Sequence, residues 1–117
     1  MNAIQSLSWV RVGRLDDIPP RAARVVRTPA GDVAVFRTST DEVFALQDRC
    51  PHGAGPLSNG IVHDRRVTCP LHGMVFDLTT GDAVGPESCS AATIPARVVD
   101  GMVELGNLDT LMGTAHG

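Results

Sequence analysis

The sequence is poor in aromatic residues: it has no tyrosine, one tryptophan and three phenylalanines, so aromatics make up 3% of its 117 residues. Apolar residues still account for 43% of the chain, and valine and alanine are the most frequent of them. A core of small and β-branched side chains favours strands. The length suits one domain and is too short for two separate cores with a linker. We therefore expect a single domain over residues 1–117.

The sequence also lacks long apolar runs and basic blocks. No segment approaches the roughly 18 successive apolar residues that a transmembrane helix needs. Met1–Val12 lacks the basic start and long apolar run of a signal peptide. The formal net charge is −3, and among the arginines only Arg65 and Arg66 are adjacent. These absences predict a cytoplasmic protein that binds neither nucleic acid nor a membrane.

Catalytic patterns and paired cysteines are missing as well. The chain has no Ser/His/Asp set, no paired-carboxylate motif and no Gly-x-Gly-x-x-Gly loop for a nicotinamide or flavin. Three cysteines in a chain without an export signal argue against a disulfide scaffold. Metal binding is the more plausible role for these cysteines. We expect any substrate chemistry to take place on another protein.

No apolar i, i+3, i+4 pattern persists long enough for a convincing amphipathic helix. Short strand-like segments, separated by turn sequences, cover residues 9–12, 23–28, 33–37, 43–46, 61–62, 67–68, 74–78, 92–99 and 102–105. The dipeptide Asp100-Gly101 favours a two-residue hairpin turn. The pattern predicts an all-β fold of antiparallel strands, with a loosely held tail over residues 106–117.

The most informative pattern is Cys50-Pro51-His52 followed by Cys69-Pro70-Leu71-His72. Two loops rich in glycine and proline each offer one thiolate and one imidazole. Two imidazoles in place of two thiolates on one iron remove negative charge and raise the reduction potential of an iron–sulfur cluster. The candidate ligands are therefore Cys50, His52, Cys69 and His72.

The same four side chains leave two alternatives open. Two cysteines and two histidines are a common donor set for a structural zinc ion. Zinc modules more often space their cysteines two to four residues apart, which favours iron–sulfur binding here. A structural domain without metal is the second alternative.

The paired loops resemble the Rieske motif. The resemblance implies one [2Fe-2S] cluster per chain, with Cys50 and Cys69 on the inner iron and His52 and His72 on the outer iron near the surface. It also implies an antiparallel β sandwich with a small cluster-binding subdomain of two hairpin loops at about residues 49–77. Such a domain passes electrons to or from a partner.

The resemblance extends beyond the ligands. Residues 55–63, 67–72, 76–81 and 94–98 resemble the small subunit of assimilatory NAD(P)H-dependent nitrite reductase. That resemblance implies a large partner subunit with sirohaem and flavin, reduction of nitrite to ammonium in nitrate assimilation, and no turnover by this chain alone. Rieske ferredoxins of aromatic-ring dioxygenases share the four ligands, so a dioxygenase and reductase pair remains the alternative partner.

Two departures from high-potential Rieske proteins are visible. Those relatives carry an extra cysteine in each loop, where this chain has Gly55 and Leu71. They also carry hydroxyl donors to the cluster sulfurs at the positions of Met74 and Phe76. Fewer hydrogen bonds stabilise a reduced cluster less, which predicts a potential near the low end of the roughly −150 to +300 mV Rieske range.

Three other residues have simpler interpretations. Cys89 is expected to be a partly buried thiol outside the site, because no second cysteine or histidine lies at a matching offset. His63, in a polar turn, is expected to be a solvated surface residue. Trp9 is expected to serve packing, with partner anchoring as the less favoured role.

Overall fold

A computed structural model describes residues 8–29, 31–51, 55–70, 73–85 and 89–106. Over these residues the chain forms antiparallel β-strands and no α-helix, which confirms the predicted all-β class. The strands are β1 Trp9–Arg14, β2 Ala22–Thr28, β3 Gly31–Arg37, β4 Val43–Gln47, β5 Ile61–His63, β6 Arg66–Thr68, β7 Val75–Asp77, β8 Thr93–Ile94, β9 Ala96–Val99 and β10 Met102–Gly106. Short 3₁₀ turns cover Leu15–Asp17 and Leu57–Asn59. The part of the chain that the structure describes contains no candidate membrane-spanning helix.

The strands form three sheets. The central sheet has the order β2-β3-β4-β8 and contains the predicted meander. The terminal sheet has the order β1-β10-β9, and the loop sheet has the order β5-β6-β7. The first strand thus pairs with the last strand, a contact between sequence-distant segments that local patterns do not reveal.

The central sheet separates two hydrophobic cores, because successive side chains of a strand point to opposite faces. Val33 and Val35 of β3 enter the terminal core, whereas Ala34 and Phe36 enter the loop core. The buried residues of the terminal core are Ile18, Val33, Val35, Ala45, Ile94, Val103 and Leu105. Those of the loop core are Ala34, Phe36, Leu46, Cys50, Leu57, Val62, Val67, Cys69, Phe76, Leu78 and Ala91.

The predicted hairpin at Asp100-Gly101 is present. Asp100 and Gly101 have φ values of 51° and 76°, and they connect the paired strands β9 and β10. Positive φ at both central residues matches the twist that a two-residue hairpin requires.

Two segment boundaries differ from the prediction. The single strand expected over residues 92–99 is split at Pro95 into β8, which pairs with β4, and β9, which pairs with β10. Proline cannot donate to a strand ladder, so the chain changes sheets there. Gly106, expected in the loose tail, is buried and ends β10 opposite Trp9. The rest of the predicted tail, residues 107–117, lies outside the described residues.

Candidate metal centre

The first of the two motif loops begins at Cys50, shortly after β4 of the central sheet. The Cys50 side chain is buried, with 0% of the residue exposed. Its backbone N–H donates a hydrogen bond of 2.7 Å to the carbonyl of Gly55. The loop is thus closed by the backbone of its own cysteine.

The second loop begins at Cys69, directly after β6, and is closed in the same way. The Cys69 N–H donates to the Met74 carbonyl at 2.7 Å, and the Gly73 N–H donates to the Cys69 carbonyl at 3.0 Å. Gly73 has a φ of 70°, a left-handed conformation that glycine adopts without a steric penalty. In both loops the cysteine N–H binds the carbonyl five residues later, so the loops share one local design.

The structure brings both cysteines into the loop core, and no disulfide joins them. Burial in apolar surroundings disfavours an unpaired thiolate, whereas a bound metal compensates the charge. Two buried thiols on two closed loops therefore fit an enclosed iron–sulfur cluster. His52 and His72 lie outside the described residues, so their ligand roles stay predictions. Within the described part of the chain, no group of three or more His, Cys, Asp or Glu side chains could hold a metal ion.

Asp48 and Ser58 were not singled out by sequence reasoning, yet they connect the two ends of the first loop. The Ser58 N–H donates to Asp48 Oδ1 at 2.7 Å, and the Ser58 hydroxyl donates to Asp48 Oδ2 at 2.8 Å. The sequence carries no local signal for this pair, because the two residues lie 10 positions apart, beyond the roughly two to four positions over which side chains usually close a turn.

Gly60 is a second residue whose importance the sequence did not reveal: the space around it excludes any side chain. A Cβ atom there would lie 2.4 Å from the Thr68 carbonyl oxygen and 3.0 Å from the Leu57 carbonyl oxygen. Because both neighbours are backbone atoms, only glycine fits between the exit of the first loop and β6.

Met74 and Phe76, the positions linked to low potential, lie at this site. Phe76 is fully buried in the loop core, and Met74 is half-buried against it. Cys89 is also half-buried against the loop core, in agreement with its expected role as a partly buried thiol.

His63 differs from the solvated residue that was expected. It is half-buried, and its Nε2 lies 2.7 Å from Thr68 Oγ1 across the β5–β6 pair. Trp9 is half-buried at the other side of the molecule, where the Arg97 guanidinium carbon lies 4.0 Å from the ring centroid. Trp9 therefore packs within the terminal sheet.

A bidentate ion pair links the central sheet to the loop sheet. Arg65 Nε and Nη2 donate to the two carboxylate oxygens of Glu42 at 2.9 and 2.8 Å. The hydrogen bond from Arg65 lowers the pKa of Glu42 below its ordinary value. The pair borders an open cleft of about 570 Å³ that includes none of the motif residues. Within it, Glu42 and Arg65 already serve as partners for each other, which is a structural role.

Comparison with known families decides the cofactor. The profile of the Rieske-like [2Fe-2S] domain family matches residues 8–106. The chain belongs to the Rieske-like [2Fe-2S] domain family. The resemblance predicted from the paired loops is confirmed, and membership implies a Rieske [2Fe-2S] cluster as the cofactor. The zinc and metal-free alternatives lose their support.

The proteins similar to this Rieske domain include dioxygenase ferredoxins and nitrite reductase small subunits. The ferredoxin subunit of anthranilate 1,2-dioxygenase from Burkholderia cepacia is 40% identical over 100 residues, which cover 83% of this chain and 90% of that protein. The complex of reduced oxygenase and oxidised ferredoxin in carbazole 1,9a-dioxygenase contains a chain with a TM-score of 0.75 and 30% identity, covering 84% of this chain and 92% of its own. A Mycobacterium tuberculosis protein assigned as an NADH-dependent nitrite reductase small subunit has a TM-score of 0.79 and 26% identity, covering 86% of this chain and 96% of its own. This Rieske chain is thus an electron-transfer domain, and its relatives work with redox partners.

Proposed function

We propose that this Rieske domain is the small subunit of an NAD(P)H-dependent nitrite reductase and that Cys50, His52, Cys69 and His72 hold its cluster. The segment at residues 55–63 favours a nitrite reductase subunit over a dioxygenase ferredoxin, because it resembles such small subunits over successive positions. In the structure Leu57 of this segment is buried in the loop core, and Ser58 donates hydrogen bonds to Asp48. Gly60 lies so close to the backbone of β6 that no side chain would fit there. The fold likeness to the Mycobacterium tuberculosis protein supports the same choice.

The bound cluster supplies one-electron oxidation and reduction. This chain's residues would enclose it, because the apolar side chains of the loop core exclude water around Cys50 and Cys69. Both cysteine N–H groups are engaged by loop carbonyls, which ties Cys50 to Gly55 and Cys69 to Met74. Met74 and Phe76 offer no hydroxyl to the cluster, so this proposal includes a low potential for a Rieske centre.

A second candidate is the ferredoxin of an aromatic-ring dioxygenase. The 40% identity to the anthranilate 1,2-dioxygenase ferredoxin subunit favours it. The partner would then be an oxygenase with its reductase, rather than a sirohaem- and flavin-containing subunit.

Reconstitution with each partner tests the choice. The cluster-containing protein is mixed with the large nitrite reductase subunit encoded by the same genome, and nitrite-dependent NAD(P)H oxidation and ammonium formation are measured. We expect turnover in the mixture and none with either protein alone. The Cys69→Ser variant serves as the cluster-free control and should not support turnover.

The same preparation is then tested with a dioxygenase and its reductase from that genome. Product formation there, together with no nitrite reduction in the first assay, would replace the nitrite reductase proposal with the ferredoxin candidate. Nitrite reduction without aromatic-ring oxidation would support the proposal.

A further inference from the structure

We propose that Asp48 and Ser58 are positioning residues that clamp the first cluster loop, in place of the strand pairing that this loop lacks. The inference rests on the proposed ligand role of Cys50. It concerns how tightly the chain retains its cluster, which the choice between electron-transfer partners does not affect.

The two loops differ in what surrounds them. The second loop lies within a hairpin: Val67 pairs with Phe76, and Thr68 pairs with Val75. The backbone hydrogen bonds between β6 and β7 therefore join the two ends of the second loop directly to each other. Side chains are not required to hold its ends together.

The first loop has no equivalent ladder. It leaves from β4, which pairs with β3 and β8 in the central sheet, and it leads into β5, which pairs with β6 in the loop sheet. Among the strand pairings of the described residues, none joins β4 to β5. The ends of the loop belong to different sheets and need another connection.

The Asp48–Ser58 pair supplies that connection between two anchored points. The Asp48 N–H donates to the Asp32 carbonyl at 2.9 Å, which ties Asp48 to β3. Ser58 lies in the 3₁₀ turn beside Leu57, whose side chain is fully buried in the loop core. Both carboxylate oxygens of Asp48 accept a bond from Ser58, so the contact fixes orientation as well as distance.

Cys50 lies between these two anchored points in the sequence. The distance between Asp48 and Ser58 therefore constrains the position of Cys50. Its own loop bond to Gly55 is short and local, and it does not hold the loop against the loop sheet. Loss of the clamp frees the loop ends while leaving both hydrophobic cores in place. The expected effect is faster cluster loss from a folded protein.

The test measures iron release to a chelator from purified, cluster-containing protein, at a temperature where circular dichroism shows an intact β signal. We expect Asp48→Ala, which removes both bonds, to release iron roughly tenfold faster than wild type. Ser58→Ala keeps the backbone bond and should release iron about threefold faster. Asp48→Asn keeps one acceptor and gains an amide donor toward the Ser58 hydroxyl, so its rate should return to within about twofold of wild type.

Two matched controls isolate the clamp. Thr68→Val removes the Thr68 contact with His63 beside the second cysteine, where the strand ladder remains, and should change the rate less than about twofold. Asp16→Ala removes a carboxylate that is 79% exposed and reports the effect of charge alone. If Asp48→Ala lowers the β signal, Ser58→Ala decides the question by the same criterion.

Wild-type release rates in Asp48→Ala and Ser58→Ala would overturn the proposal, as would equal acceleration in Thr68→Val. Acceleration that appears only in step with global unfolding, without rescue by Asp48→Asn, would also overturn it. Cys50→Ser separates this failure from failure of the ligand assignment. A cluster retained in Cys50→Ser refutes the ligand role, whereas a cluster lost there but firmly held in Asp48→Ala refutes only the clamp.

Discussion

The two sides of the central sheet are built for different tasks. On the terminal side, β1 and β10 pair segments from opposite ends of the chain, and Glu104 accepts bonds from Arg97 at 2.8 Å and from Arg11 at 3.3 Å. On the loop side, the three-residue strands β6 and β7 carry the second cysteine loop, and the first cysteine loop leads from β4 into the three-residue strand β5. The terminal side satisfies its polar groups internally, whereas the loop side buries two thiols that suit a metal. Substitutions on the terminal side should therefore change stability without changing the metal chemistry.

The largest expected effect follows from removing a thiolate on the loop side. Cys50→Ser and Cys69→Ser should each abolish the [2Fe-2S] spectrum and lower the unfolding temperature, because metal–ligand free energy contributes to folding. Iron and sulfide analysis with absorption spectroscopy measures the loss. Cys89→Ser, at a half-buried thiol outside the motif, should retain the cluster. Normal iron content in either motif variant would contradict the ligand assignment.

A smaller effect is expected where the first loop meets β6. Gly60→Ala places a methyl group against the Thr68 and Leu57 carbonyls. Overpacking of this kind should lower the free energy of unfolding by about 2 kcal/mol. Urea denaturation measures the change. Asn59→Ala, at the exposed neighbouring position, should stay within about 0.5 kcal/mol of wild type; equal loss in both variants would refute the close-approach argument.

Potential tuning on the loop side should be smaller still. Replacing Met74 by Ser and Phe76 by Tyr should raise the midpoint potential, because added hydroxyl donors stabilise the reduced cluster. A net bond of about 1 kcal/mol corresponds to roughly 40 mV for a one-electron couple. Equilibrium redox titration measures the shift. Ile61→Thr, at a residue 69% exposed on the loop sheet, is the control; an unchanged potential with an intact double-variant cluster would refute the tuning argument.

The smallest effect on the cluster is expected from the terminal side. The hydrogen bond from Arg97, followed by that from Arg11, lowers the pKa of Glu104 below its ordinary value. Because the folded pKa is below the unfolded pKa, the ionised carboxylate stabilises the protein above the unfolded pKa. That contribution is lost as pH falls through the folded pKa. Glu104→Gln should therefore destabilise the protein near neutral pH and approach wild type in acid, with no change in potential.

Unfolding curves at neutral and acid pH, with redox titration at neutral pH, check the Glu104 prediction. Asp16→Asn, at an exposed acid, is the control for removal of a surface charge and should stay within about 0.5 kcal/mol of wild type at neutral pH. A stability difference that persists unchanged in acid would contradict the ion-pair argument. A shifted potential would contradict the separation of the two sides.

Local patterns predicted the elements that local chemistry controls. The β2–β3–β4 meander follows from strand-forming segments separated by turn residues, and the β9–β10 hairpin follows from Asp100-Gly101. Pro95 is a local signal that was missed: it ends β8 and sends the chain to another sheet. The cysteine loops were identified because few chemistries need that donor spacing.

The sequence by itself determined the all-β class, the Rieske family and both cysteine loops, because strand patterning and ligand spacing are properties of adjacent residues. Only the tertiary structure decided that β1 pairs with β10, that Asp48 bonds to Ser58 across the first loop, and that Gly60 lies against the Thr68 carbonyl. These contacts depend on how the sheets pack, since burial and steric fit arise only when distant segments meet. The central sheet makes both sets of contacts compatible because its alternating side chains serve two cores at once.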